Sequence, residues 1–316
     1  MPSVTDLPDL VAALPPDRRA RFERIFDVQR DEGRCVVPES MRGWVERHFG
    51  AVEAVETQRI IRVTNRVTWE GVLFNPLRLR RPMRSRPAAP PDPAGDRPAD
   101  DIFAEPERTT SADVFGRARG AHCVTAANVA RWDGWCAVLI FDDPDPLAAT
   151  PERMRDYFRT SLEWAARARQ ADPAARYLAW MWNGGLAGGA TVPHAHAQLG
   201  LGRGGPYARV EALRRAAADY RARHGADFFT DLLGAHADVG LAFRAGELDG
   251  FVNLAPFKAK ETWVLGRALD DRLADAFAIT LRALIDRAGM QAFDAAVLLP
   301  PLFEPPVDGW ADFPAV

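Results

Sequence analysis

The chain has 316 residues, 47% of them hydrophobic, with 40 basic and 43 acidic side chains and a net charge of −3, so one large or two ordinary domains with a buried core are expected. No basic excess points to nucleic acid, and any phosphate must be bound locally by a few groups in a pocket. Three sparse cysteines (Cys35, Cys123, Cys136) without a CxxC pair, no leader-like N-terminus and no apolar run of membrane-spanning length exclude a disulfide framework, a thiolate metal site and a membrane protein, and lead to the expectation of a cytoplasmic protein.

Residues 1–50 read as helical, because Phe22, Ile25, Phe26 and Val28 recur near helical spacing after Pro15-Pro16. Residues 1–57 are therefore expected to be an N-terminal helical extension. From 58 to 80 the pattern changes: Ile60, Ile61, Val63, Val67 and Trp69 are strand formers, followed by Val72-Leu73-Phe74. Arg80 to Pro98, rich in Pro, Arg, Ala and Asp, reads as a loop or linker. Strands are expected at about 121–127 and at Trp135–Phe141, joined through a turn at Asp133-Gly134. The next helix, 151–170, has Thr150 to cap it, Pro151 at its first position, and Met154, Phe158 and Leu162 on one face. A strand at 176–182 follows, where Trp180 and Trp182 read as core. A glycine-rich loop at 183–192 then leads into His194-Ala195-His196-Ala197-Gln198 and a strand to Leu201. Helices are expected at 207–224 and about 226–237, strands at 251–254 and 262–265, a helix at 270–288 and a strand at 295–299. The order strand, connection, strand, helix, strand thus occurs twice, which suggests a degenerate internal duplication whose second block has no histidine.

Of the six histidines, only His194 and His196 lie close together. Strand residues two apart share a face, so His194, His196 and Gln198 are expected to project into one space. The neighbouring loop, Asn183 to Thr191, holds four glycines, and its backbone N–H groups can approach an anion closely. Neutral imidazole is a nucleophile toward phosphorus. A side-chain amide such as Gln198 can donate to a phosphate oxygen as charge develops.

These residues resemble the galactose-1-phosphate uridylyltransferase branch of the histidine-triad (HIT) superfamily, which also contains dinucleoside-polyphosphate phosphorylases. The matching motif is Asn183, Gly189, Thr191, Pro193, His194, His196 and Gln198. Weaker matches are Phe74-Asn75-Pro76-Leu77 with Arg81-Pro82, Asn128 after a strand, and Leu298-Leu299-Pro300-Pro301-Leu302, so the resemblance spans roughly 58–302. It implies an α+β fold: a HIT-like antiparallel sheet with flanking helices, repeated in tandem with a degenerate second half. Residues 58–205 would be the first repeat, carrying the active site, and 206–316 linking helices and the second repeat. It further implies that His196 attacks an α-phosphorus and that Gln198 holds a phosphate oxygen. Asn183, Thr191, Gly188 and Gly189 would contact phosphate, and Asn128 the nucleoside. Substrates would be a nucleotide or nucleotide sugar and a phosphate-bearing acceptor, with no cofactor; the branch often forms dimers, so a homodimer is within expectation.

The departures are informative. Relatives with zinc use a CxxC pair and two histidines, one being the first of the motif. Here Asp101-Ile102-Phe103-Ala104 has no cysteine and Phe141-Asp142-Asp143 no histidine, so no structural metal is expected and His194 is assigned a hydrogen-bonding role. The second block's histidines are replaced by apolar residues at 295–299. An aromatic that commonly follows the nucleoside-side Asn by two is Ala130 here. Hydrolases of the superfamily carry a third histidine where Gln198 stands, and an amide is no general acid or base, so transfer is favoured over hydrolysis. A non-catalytic nucleotide-binding protein and a hydrolase using the same site are the alternatives. Lys258, Lys260, Arg131 and Arg203 are further basic residues with a bland reading as solvated surface.

Overall fold

A computed structural model describes residues 3–80, 101–303, 310 and 313–316. The N-terminal part holds helices α1 (Leu7–Ala12) and α2 (Pro16–Ile25), strand β1 (Phe26–Arg34), helices α3 (Glu39–Phe49) and α4 (Val52–Glu56), and strands β2 (Thr57–Asn65) and β3 (Gly71–Phe74). The middle holds α5 (Pro106–Thr109), β4 (Cys123–Ala127), β5 (Trp135–Phe141), α6 (Pro151–Ala171), β6 (Tyr177–Gly184) and β7 (His196–Gly202). Then come α7 (Ala208–His224), α8 (Phe228–Asp238), β8 (Ala242–Ala245), β9 (Leu248–Val252), β10 (Thr262–Leu265), α9 (Asp271–Asp286) and β11 (Phe293–Val297). The chain forms two compact units that interleave along the sequence: Met1–Pro91 with Arg223–Ala242 and Phe251–Thr262, and Asp92–Ala222 with Phe243–Gly250 and Trp263–Val316. Among the described residues no helix is long and apolar enough to cross a membrane.

In the first unit, residues 26–34 correct the expectation of a helical N-terminus. They form β1, antiparallel to β2 from Phe26↔Asn65 to Arg34↔Thr57, and β3 extends the sheet on the other side of β2. Phe22 and Ile25 end the helical spacing, and Phe26 and Val28 already alternate with polar residues. Pairing with the β-branched β2 then decides the conformation over local propensity. Asn75 closes β3 by accepting from the Leu77 N–H (3.0 Å) and donating to Gln58 (2.9 Å). The associated Arg81-Pro82 pair and most of the 80–98 stretch lie outside the described residues.

The second unit is built on a five-stranded antiparallel sheet in the order β11–β6–β7–β5–β4. Helix α6 lies against it, capped by Thr150, whose side chain accepts from the Arg153 N–H, with Pro151 at its first position. Its buried face, Met154, Tyr157, Phe158, Ser161, Trp164, Ala165 and Ala168, meets Leu178, Trp180 and Trp182. Both tryptophans of β6 are core, at 0% and 1% exposure, and the Trp180 indole N–H donates to Ser161 Oγ (3.2 Å). At about 200 Å² of buried surface each and ~25 cal/mol per Å², each indole contributes roughly 5 kcal/mol before its ordering cost. Helix α9 packs beside α6, where Arg155 makes two hydrogen bonds to Asp275 (2.6 and 3.1 Å). Strand β11 begins two residues earlier than its apolar run suggests, because its pairing runs from Phe293↔Gly184 to Val297↔Trp180. Leu298 instead exchanges backbone hydrogen bonds with Val316.

Candidate active site

Strand β7 has two unlike faces. Ala197, Leu199 and Leu201 point into the core under α6, whereas His196, Gln198, Gly200 and Gly202 occupy the other side by strand alternation. The ladder registers lay out rows on that second face. Ile140 of β5 pairs with His196, and since Trp182 pairs with Ala197, Asn183 of β6 stands on the far side of His196, with Asp294 of β11 paired to Asn183. In the next row, Val138, Gln198 and Met181 are neighbours. Phe103, Ala126 and Ile140 form a small apolar cluster on this face, joined by Val124, Val138 and Val192.

His196 is 7% exposed. Its Nδ1 lies 2.8 Å from the main-chain oxygen of His194. A carbonyl oxygen only accepts, so Nδ1 carries the proton and Nε2 the lone pair. Nε2 has no hydrogen-bond partner among the described residues, and it is not among the atoms sealed from solvent. Burial lowers the pKa of this ring from the ordinary histidine value; the hydrogen bond to His194 opposes the shift and the charge of the His194 side chain adds to it. The ring is therefore held neutral, in one tautomer, with its nucleophilic nitrogen open. Gln198 is half-buried, and its side-chain amide makes no hydrogen bond to the described residues.

His194 is held at both ring nitrogens. Nδ1 lies 2.8 Å from Asp101 Oδ2, and Nε2 lies 2.8 Å from the Phe141 carbonyl oxygen, which fixes a proton on Nε2. The His194 and Asp101 side chains are each 4% exposed. The Phe103 ring meets both histidines edge-on, at 5.9 Å from His194 and 5.1 Å from His196. His194 thus makes hydrogen bonds at both ring nitrogens. Nε2 has no lone pair for a metal, because it donates to the Phe141 carbonyl, and Nδ1 faces the Asp101 carboxylate. Among the described residues no cluster of three or more His, Cys, Asp or Glu could hold an ion.

The glycine-rich loop is folded on itself. The N–H groups of Gly188, Gly189 and Ala190 donate to Gly185, Leu186 and Gly185 oxygens, so these three donors are engaged within the loop. Gly188 is required by close approach: a Cβ there would sit 2.4 Å from the Phe293 oxygen. Gly189 has φ +95°. Asn183 donates through Nδ2 to the Gly188 oxygen (2.9 Å), which braces the loop, and to Asp294 Oδ1 of β11 (2.6 Å). Thr191 is exposed, on the bend that leads into the motif.

Asn128 continues the β4 ladder through its N–H to Cys136 O (3.0 Å), and its side chain accepts from the Ala130 N–H (3.0 Å). Four residues on, the Trp132 ring, 40% exposed, lies against Gly200, where a Cβ would be 2.1 Å away. Arg131 is paired with the buried Asp113 (3.0 Å) and Arg203 with Asp172 (2.6 Å), so neither is a free phosphate ligand. Lys258 and Lys260 belong to the other unit. Sequence reasoning singled out the stretch Asp101–Ala104 only for what it lacks, and missed Asp294 and Trp132. Asp101, Asp294 and Trp132 reach the site face through contacts that no local pattern announces.

No family model matches the chain, and no curated protein sequence matches it. Among solved structures, the chain is similar to an ADP-glucose phosphorylase from Arabidopsis thaliana with bound ADP-glucose, at 16% identity and a TM-score of 0.55, covering 76% of this chain and 82% of that one. It is also similar to a galt-like protein from the same plant, at 14% identity and a TM-score of 0.52, covering 65% and 76%. The fold is the HIT-like α+β fold that these structures share.

Proposed function

We propose that this chain is a nucleotidyltransferase that works through a covalent nucleotidyl-His196 intermediate. The observation that carries this reading is the His196 ring: buried, with its pKa lowered by that burial, hydrogen-bonded through Nδ1 to the His194 carbonyl, and with Nε2 and the Gln198 amide both unengaged among the described residues. The fold shared with an ADP-glucose phosphorylase supports a nucleotide sugar or dinucleoside polyphosphate as donor, with a sugar 1-phosphate or inorganic phosphate as acceptor.

The chemistry balances in two displacements. Nε2 donates its lone pair to the α-phosphorus, the P–N bond forms, and the bond from phosphorus to the bridging oxygen breaks, so that the departing phosphate keeps the electron pair. In the second step a phosphate oxygen of the acceptor attacks the same phosphorus, and the P–N bond returns its electrons to Nε2. The proton stays on Nδ1 throughout, hydrogen-bonded to the His194 carbonyl, which lets the ring carry positive charge in the intermediate without losing its position. The Gln198 amide donates to a non-bridging oxygen as charge builds there. Being no acid or base, it leaves water unactivated and favours transfer to a phosphate nucleophile. Positioning and electrostatics supply most of the rate in such reactions. In this reading the site belongs to the first of two HIT-like repeats, residues 58–205, with Asn128 and Thr191 toward the nucleotide. Asn183, Gly188 and Gly189 act by shaping the loop.

The test is intact-protein mass after incubation with nucleotide sugars and dinucleoside polyphosphates, beside a His196→Ala variant. The expected result is an added nucleoside monophosphate, absent from the variant and discharged by a phosphate acceptor. Nucleotide binding with no adduct from any donor would instead support a non-catalytic binding protein, and discharge by water alone a hydrolase.

A further inference from the structure

We infer that Asp101 is the positioning residue of the site, holding the histidine pair by hydrogen bonds alone where zinc-bearing proteins of this fold use a metal ion; the inference rests on the reading of His196 as nucleophile. Both oxygens of the Asp101 carboxylate are engaged. Oδ2 meets His194 Nδ1 at 2.8 Å, and Oδ1 accepts from the Phe103 N–H at 2.9 Å. One carboxylate thereby fixes the two things that surround the nucleophile: the His194 ring, and the turn that places Phe103 edge-on to both imidazoles.

From His194 the constraint passes on through covalent bonds. Its far nitrogen donates to the Phe141 carbonyl at the end of β5, and its own main-chain oxygen accepts the His196 Nδ1 proton. The backbone between them is tied to the same strand end, since Ala195 donates to Pro144 O (3.0 Å) and Phe141 donates to Ala195 O (3.2 Å). The His194 carbonyl is thus oriented by a ring clamped on two sides. That carbonyl decides which nitrogen of His196 is protonated, so Asp101 acts on the tautomer of a residue it does not touch. A metal at this position would perform the same mechanical task, which is why a buried carboxylate here can replace one. Partners that orient a metal-bound imidazole from behind are commonly worth about 10–100-fold in metal affinity or activity, and an effect of that order is expected for one that orients a nucleophile.

The experiment uses the full chain, with Asp101→Asn as shape-conserving variant and Asp101→Glu as carboxylate rescue. An amide cannot accept at both positions, so with the Phe103 N–H kept, Asp101→Asn can meet His194 Nδ1 only as a donor, which removes the carboxylate charge and reverses that hydrogen bond. The first readout is the imidazole nitrogen spectrum by NMR. Wild type is expected to show His196 as a single tautomer, protonated at Nδ1, in protein stripped with chelator and shown by elemental analysis to hold well under one equivalent of metal. Asp101→Asn is expected to mix the two tautomers and slow single-turnover adduct formation about 10–100-fold, with nucleotide affinity little changed. Asp101→Glu is expected to restore part of both. A tightly bound equivalent of zinc whose removal scrambles the His196 spectrum would overturn the inference, as would an Asp101→Asn spectrum identical to wild type. Because the spectrum is read without substrate, a chain that forms no adduct would defeat the proposed reaction while leaving the role of Asp101 separately decided.

Discussion

Two buried histidines, one in each unit, show what separates a reactive imidazole from a structural one. His236 of α8 is fully buried and His196 of β7 nearly so, and each has Nδ1 within 2.8 Å of a main-chain oxygen, Leu232 for one and His194 for the other. Burial lowers both pKa values, that of His236 to about 4. The difference lies at Nε2. In His236 it accepts the Leu254 N–H at 3.1 Å, and the ring is stacked on Phe251 at 4.0 Å with Phe26 edge-on at 5.3 Å. In His196 it meets no donor among the described residues and opens on the sheet face. The same burial that makes His236 a cross-brace in the first unit makes His196 a neutral nucleophile, because only one of them keeps its lone pair free.

The contrast is broken most sharply by exchanging the loss. His196→Ala is expected to cut nucleotidyl transfer by at least about 10³-fold, since it removes the group that forms the covalent bond, while the melting temperature moves little. His236→Ala is expected to do the reverse. It leaves a cavity of ring size and one unmet backbone donor, the Leu254 N–H, at a cost of about 3–5 kcal/mol in stability by denaturant unfolding, with the transfer rate of the folded fraction unchanged. Transfer lost in the His236 variant while it remains folded would erase the distinction.

Acid sharpens the same comparison. The folded-state pKa of His236 is below that of the unfolded chain, about 6.5, so the unfolded state binds the proton more readily. The stability contribution is therefore complete above about pH 6.5, declines as pH falls toward about 4, and totals roughly 3 kcal/mol, measurable by urea unfolding across that window. Protonating His196 blocks its lone pair. The rate of adduct formation is thus expected to be level through neutrality and to fall with a midpoint below the ordinary histidine value of about 6.5. A midpoint above it would contradict the neutral, buried nucleophile.

The smallest effect concerns the open face itself. Gly200→Ala places a Cβ against the Trp132 ring, which is part exposed and can swing outward, so the stability change is expected to stay near 1 kcal/mol. A few-fold weakening of nucleotide binding by titration calorimetry, with the single-turnover rate preserved, would place the nucleotide along the row from His196 through Gln198 to Gly200. Unchanged affinity would place it elsewhere on the face.

What the sequence alone determined was what short periods encode. The two-residue spacing of His194, His196 and Gln198 put His196 and Gln198 on one side of β7, because strand alternation is a local property of the backbone. Helix α6, strand β5 and helix α9 were legible from caps, proline and apolar spacing, which act within a few residues. Tertiary structure decided the rest. Residues 26–34 became a strand because β2 lay ready to pair with them. The loop 183–191 used its own N–H groups to fold, although its glycines suggested an open cradle. Asp101 reached His194 across 93 residues, and Asp294 reached Asn183 across 111. Such contacts depend on which strands become neighbours, and that is settled by the burial of whole faces rather than by the residues that finally meet.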